Sequence, residues 1–208
     1  MLEILNKLKP GEIVLVEYSS KDDPSLFFIE VINWAELKKH QVLITDLFNR
    51  IELCLKRMKM RVPHCEALEK AKFIEIGYHE LPEVNMVGFL RADRELPALF
   101  KAYRELFEEV VSKQFTVILV TGIERWILMR NEGIPFVNVL STFLGDTRRI
   151  AFYFVNRDVL SGNNREVLSL LEDLATTIIE FKKDNKRKLV ITKALNTDLE
   201  DYEMELYP

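Results

Sequence analysis

The stretch Gly11 to Trp34, GEIVLVEYSSKDDPSLFFIEVINW, decides how this chain is read. Ile13, Val14, Leu15 and Val16 are apolar on successive positions. That marks a strand buried on both faces, as the central strands of parallel sheets are. A six-residue polar loop, SSKDDP, follows. Pro24 and Ser25 then open a helix that points Phe27, Phe28, Val31, Ile32 and Leu37 toward the core, because proline suits a first helical turn. A buried strand followed by a helix after so short a loop predicts a parallel sheet built by crossover connections.

Working outward, Leu2, Ile4, Leu5 and Leu8 give one face of a leader helix that Pro10 and Gly11 stop. On the other side the next strand is Gln41 to Thr45, and Thr45 or Asp46 can cap a helix whose face runs Phe48, Ile51, Leu55, Met58. Pro63 breaks that helix, and a short helical piece covers Cys65 to Ala71. Phe73 to Tyr78 and Val84 to Leu90 read as strands, Glu95 to Lys113 as a long helix, and Phe115 to Thr121 as another apolar strand. Helices around Trp126 and over Phe136 to Phe143 lead to a strand at Ile150 to Val155 and a helix at Arg165 to Ala175. Thr176 to Phe181 and Lys188 to Ala194, separated by KKDNKR, read as an antiparallel hairpin. The expected fold class is therefore three-layer α/β: a largely parallel sheet, helices on both faces and a C-terminal antiparallel hairpin. One domain is expected over residues 1–208, with an acidic tail over about 195–208.

Composition narrows the function classes. The chain has 208 residues, 48% of them apolar and 30% charged, with a net charge of −4. It can bury a full core, and it exerts no general attraction on nucleic acid or an anionic membrane. The N-terminus lacks the apolar run and cleavage site of a signal peptide, and the apolar runs are strand-sized rather than membrane-spanning. Two cysteines, Cys54 and Cys65, do not make a disulfide framework, so a reducing cytoplasm is the expected setting. High Glu and Lys with two glutamines suits a thermophile.

The order of elements resembles the RecA/KaiC-like branch of the P-loop NTPases. VLVE at Val14 to Glu17 is similar to the strand that precedes a KaiC-like phosphate loop; counting on from it puts Pro24 in the place of the Walker lysine and Ser25 in that of the Mg²⁺-binding hydroxyl. TVILVTG at Thr116 to Gly122 resembles a Walker B strand. RKLVITKAL with EMEL resembles the KaiC-like ending, with Lys193 in place and Leu195 where an arginine would follow. The chain also looks like a narrower family of proteins of this length from hyperthermophilic archaea of the Pyrococcus and Thermococcus group. The resemblance implies that Asp46 falls where RecA-like proteins carry their catalytic glutamate; as a residue, Asp46 is better read as a helix cap.

The loop does not carry the chemistry the resemblance implies. A phosphate loop uses glycines to aim backbone N–H groups at phosphates and a lysine to neutralise them. SSKDDP has no glycine, Lys21 stands three residues early, and Asp22 and Asp23 face an anion with like charge. At the Walker B position Val120 or Thr121 replaces the acid. Ordinary P-loop ATP hydrolysis is not expected, no catalytic residue is assigned, and no cofactor or metal is expected. The Walker A motif is read as degenerate.

Three functional expectations remain. The first is a non-catalytic protein that binds a protein partner or self-associates. The second is a small-ligand or nucleotide crevice at the strand carboxyl ends, lined by Ser19, Ser20, Lys21, Ser25 and Asp46. The third is nucleic-acid binding through the basic clusters Lys56 to Arg61 and Lys182 to Lys188; such runs are most often solvated faces, so nucleic acid is not the expected partner. Cys54, His64, Cys65 and His79 have a spacing that matches no usual pair of zinc-ligand knuckles, and neighbours in sequence such as His64 and Cys65 rarely point at each other as a nucleophilic pair must.

Overall fold

The computed structural model describes residues 1–61, 66–82, 84–183 and 186–205. Its elements are α1 (Leu2–Lys7), β1 (Ile13–Tyr18), α2 (Ser25–Leu37), β2 (Gln41–Leu47), α3 (Ile51–Arg61), α4 (Glu66–Lys70), β3 (Lys72–Gly77), β4 (Asn85–Arg91), α5 (Leu96–Val111), β5 (Thr116–Thr121), α6 (Ile123–Arg130), α7 (Gly133–Ser141), β6 (Arg149–Asn156), α8 (Arg165–Leu174), β7 (Thr177–Lys183), β8 (Arg187–Lys193) and β9 (Glu203–Glu205). The nine strands among the described residues form one sheet in the order β4-β3-β2-β5-β6-β1-β7-β8-β9. From β4 to β7 every neighbouring pair is parallel, and β8 and β9 are added antiparallel. The α/β class expected from the sequence is the one observed.

The two-residue period of a strand divides the core. Val14 and Val16 face a layer with α1 to α4, together with Phe27, Phe28, Val31 and Ile32. Ile13 and Leu15 face the opposite layer with α5 to α8, including Tyr103, Phe107, Trp126 and Leu171. Chains leaving β1 and β2 thus turn to one face, while those leaving β4, β5 and β6 turn to the other. The strands part in this way at β2/β5 and at β6/β1, where open α/β sheets form crevices at their carboxyl ends.

Some boundaries differ from the sequence reading. Leu37 is 71% exposed rather than core-facing; it is the last residue of α2, just before the capping Lys38. Phe48 is not on a helical face: Phe48 and Asn49 both have positive φ, 59° and 54°, and form the turn before α3. The acidic tail is partly structured, since Glu203–Glu205 pairs with β8, and Lys188 reaches Glu203 at 3.0 Å and Lys186 reaches Glu205 at 2.8 Å. Pro63, His64 and Cys65 lie outside the described residues. Among the described residues no helix is long and apolar enough to cross a membrane.

Candidate functional site

The loop after β1 closes on itself through carboxylates. Asp22 Oδ2 accepts from the Ser19 N–H at 2.9 Å and from the Ser19 hydroxyl at 2.7 Å. Asp23 Oδ1 accepts from the Ser25 N–H at 3.1 Å, and Asp158, arriving from the end of β6, accepts from the Ser20 N–H at 2.7 Å. Asn156 Nδ2 donates to Ser20 Oγ at 3.2 Å, and the Lys21 N–H donates to Ser19 Oγ at 3.3 Å. Three backbone donors, those of Ser19 and Ser20 in the loop and of Ser25 at the start of α2, are therefore taken by the chain's own acids. Ser25 is buried and its hydroxyl has no partner among the described residues.

Asp46 lies within β2 rather than just past it, in register with Glu75 on β3 and Thr121 on β5. Its Oδ1 accepts from the Ile51 N–H at 2.9 Å and from the Thr121 hydroxyl, so the side chain caps α3. Its Oδ2 and Glu75 Oε2 are buried without a conventional donor, yet the two carboxyls interact directly. Burial and the Asp46 charge raise the Glu75 pKa, and burial raises that of Asp46 despite the Thr121 and Ile51 hydrogen bonds. Burial and mutual repulsion both favour a proton on this pair, the stronger upward push falling on Glu75.

A second set of ties fixes the neighbouring strand ends. Arg50 donates to the Tyr18 hydroxyl at 3.2 Å and to Glu124 Oε1 at 3.3 Å, joining the ends of β1, β2 and β5. Gly122, with φ of 84°, turns the chain from β5 into α6; a Cβ there would stand 2.0 Å from the Leu47 carbonyl oxygen. Glu17, buried in β1, has a carboxyl pushed up to about 7 by burial and by Glu172 and Glu180, against the pull of Arg157. Arg157 holds Glu180 at 3.3 Å.

Of the residues expected to line one crevice, Ser19, Ser20, Lys21 and Ser25 are together in one loop. Asp46 sits three strand positions away, with β5 and β6 between, a separation of roughly 14 Å at about 4.8 Å per strand. A groove of about 400 Å³ opens instead beside the β2 and β3 ends, lined by Phe48, Glu52, Lys56, Tyr78, His79 and Arg125 among others. Glu75, Glu124, Arg50 and Asp158 were missed by sequence reasoning. A glutamate inside the apolar run KFIEIG was the available signal for Glu75. Cys54 is half-buried, its thiol pushed up to about 12 by burial, and His79 is exposed. Among the described residues no group of three His, Cys, Asp or Glu side chains is placed to hold a metal.

Comparison with known proteins gives the relationship. No curated protein matches the chain. A solved structure described as a structural study of PH0250 from Pyrococcus horikoshii OT3 superposes with a TM-score of 0.82 at 25% identity, covering 97% of this chain and 96% of that one. The KaiC-like protein PH0186 from the same organism superposes with a TM-score of 0.62 at 12% identity, covering 95% and 86%. The second match is a likeness of fold alone. A family model described as "Pyrococcus protein of unknown function, DUF257" matches residues 3–205. The chain belongs to that family.

Proposed function

We propose that this chain is a divergent P-loop-class domain with a degenerate phosphate loop, and that it acts without catalysis by binding a protein partner or further copies of itself. The observation that carries this reading is the occupation of the Ser19, Ser20 and Ser25 N–H groups by Asp22, Asp158 and Asp23. A nucleotide phosphate would have to displace three carboxylates from the donors it needs and sit beside them. The Thr121 hydroxyl in place of a Walker B acid supports the same reading. For association, Leu128, Met129 and Ile134 stand 53%, 57% and 52% exposed on α6 and the start of α7.

The test combines nucleotide turnover with sedimentation. We expect no ATP or GTP hydrolysis above a blank, and either self-association or capture by a defined partner that weakens when Leu128 and Met129 are changed to Ser. Turnover that disappears on changing Ser25 or Asp46 would overturn the reading.

The groove beside β2 and β3 favours a second reading, a small-ligand site. Its size is within the range of ligand pockets, and Lys56, Arg125 and the Phe48–Tyr78 ring pair, 5.6 Å between centroids, would suit an aromatic anion. A thermal-shift screen separates the two: a saturable rise abolished by Arg125→Ala supports the ligand, and silence with intact association supports the first reading.

A further inference from the structure

At the amino ends of the parallel strands lies a groove that neither reading uses. It has a volume of about 260 Å³ and is bounded by the end of α2, by α4 and by the first residues of β2 and β3. Its floor is apolar, made by the buried Val42, Ala67 and Ala71. Its charged lining is Lys39, Lys70 and Lys72 against one acid, Glu36. Lys70 bridges that acid at 2.7 Å. Lys39 and Lys72 form no ion pair among the described residues, so the groove keeps their positive charge on a chain whose net charge is −4.

The fold itself makes no use of these two charges. A lysine beyond a helix can serve the last carbonyls. At the end of α2, however, the carbonyls of Trp34, Glu36 and Ala35 already accept from the backbone N–H groups of Lys38, Lys39 and His40, at 3.0, 2.9 and 2.8 Å. Lys39 also takes a left-handed φ of 57°, where glycine or asparagine is favoured. Gln114 Nε2 donates to the Lys39 carbonyl and ties that turn to the residues before β5. Lys72 opens β3 and is half-buried, which restricts where its ammonium reaches. His40 forms another wall, its ring 4.6 Å from that of Phe115. Burial and Lys38 lower the His40 pKa, so near neutral pH the positive charge in the groove is that of the lysines.

We propose that this groove binds a small phosphomonoester, its phosphate held by Lys39 and Lys72 and its short carbon body resting on Val42, Ala67 and Ala71. A phosphate monoester carries a charge of about −1.5 to −2 near neutral pH, which two lysines match. Lysine serves phosphate as a point charge, and cations set round an apolar floor focus the field and draw anions in against the charge of the whole chain. The volume falls just under the usual ligand-pocket range of roughly 300–1,000 Å³, which suits a body of a few carbons. This inference is independent of the proposed function, and the groove lies at the other end of β2 from the one lined by Phe48.

The test uses the full chain, titrated by calorimetry at fixed ionic strength with glycerol 3-phosphate, inorganic phosphate and glycerol. The wild type should bind glycerol 3-phosphate saturably, inorganic phosphate more weakly and glycerol not at all. Lys39→Asn combined with Lys72→Gln should weaken the ester roughly tenfold or more, because each change removes a charge-assisted contact. Asparagine suits the left-handed backbone at residue 39, so if the double variant fails to fold, Lys39→Asn alone carries the comparison, with a loss of roughly threefold or more expected. Arg125→Ala separates the two grooves: a loss with it and not with the lysine variants places the anion beside Phe48 and overturns the proposal. No saturable binding by the wild type, undiminished binding by the lysine variants, or equal affinity for the ester and inorganic phosphate overturns it as well.

Discussion

Glu17→Gln is expected to remove a pH dependence that runs opposite to ordinary acid denaturation. Glu17 is buried in β1, with Oε1 unpartnered among the described residues and Glu172 and Glu180 adding negative potential. Its carboxyl is raised from 4.5 to about 7 in the folded chain. Between those values the native state holds a proton that the unfolded state has released. Its contribution to stability is thus complete below about 4.5 and is lost as pH rises toward about 7. At 1.36 kcal/mol per pKa unit the loss is at most about 3 kcal/mol, and relaxation toward Arg157 brings it to roughly 2–3 kcal/mol. Glutamine keeps the shape and cannot ionise. Urea unfolding at pH 5, 6, 7 and 8 should therefore show Glu17→Gln more stable than wild type by roughly 2–3 kcal/mol at pH 8, with the gap closing toward pH 5. Asp46, Glu75 and Glu124 are raised in the same direction and remain in both chains, so the difference isolates Glu17. Curves that stay parallel from pH 5 to 8 would refute the assignment of a buried, proton-holding Glu17.

Asp46→Ala should cost about 2 kcal/mol or more in denaturant unfolding, because it strips the α3 cap and leaves Thr121 and Glu75 without their partner; Asp46→Asn, which keeps an acceptor, should cost less than half of that. Gly122→Ala places a Cβ 2.0 Å from the Leu47 carbonyl oxygen at a φ of 84° and should cost about 2–4 kcal/mol, read as a fall in Tm. Ending the chain after Glu200 removes β9 with its Lys186 and Lys188 ion pairs and leaves β8 as an open edge; light scattering should report aggregation that the full chain does not show.

The legible parts of the fold were those where one physical signal dominates. Contiguous apolar residues in β1, β5 and β6 can only be buried on both faces, and α5 carries an unbroken helical stripe, so these were placed within a residue or two. Phe48 misled because its distance from Ile51 and Leu55 fits a helical face, whereas the backbone turns left-handed there to let Asp46 cap the helix. Two of the three residues of β9, Glu203 and Glu205, are acidic, and three residues are too few to show a strand period; they pair beside β8 with Lys188 and the preceding Lys186 as ion partners. In the candidate site, Asp22 and Asp23 were legible as unfriendly to anions. Their hydrogen bonds to the loop were not, nor was Asp158, which joins them from 138 residues away. Glu75 needed the register of β2 against β3, which no single-sequence period supplies.

That arrangement leads to a last prediction. If the loop failed to bind phosphate merely for want of a lysine, Pro24→Lys should restore some affinity. A lysine contributes about 4 kcal/mol per unit charge at 4 Å in a partly screened site. Against it stand Asp22, Asp23 and Asp158, each accepting from a backbone donor the phosphate would need. Displacing three charge-assisted hydrogen bonds costs roughly 1.5–3 kcal/mol apiece, before any repulsion between carboxylate and phosphate. The opposing terms are larger, so Pro24→Lys alone should show no ATP binding by calorimetry. Combined with Asp22→Asn, Asp23→Asn and Asp158→Asn, the same lysine should give weak, salt-sensitive binding, because the anion then meets donors and no acids. Binding by the single variant as tight as by the combined one would mean that the carboxylates do not hold the loop closed, and the self-filled site would have to be abandoned.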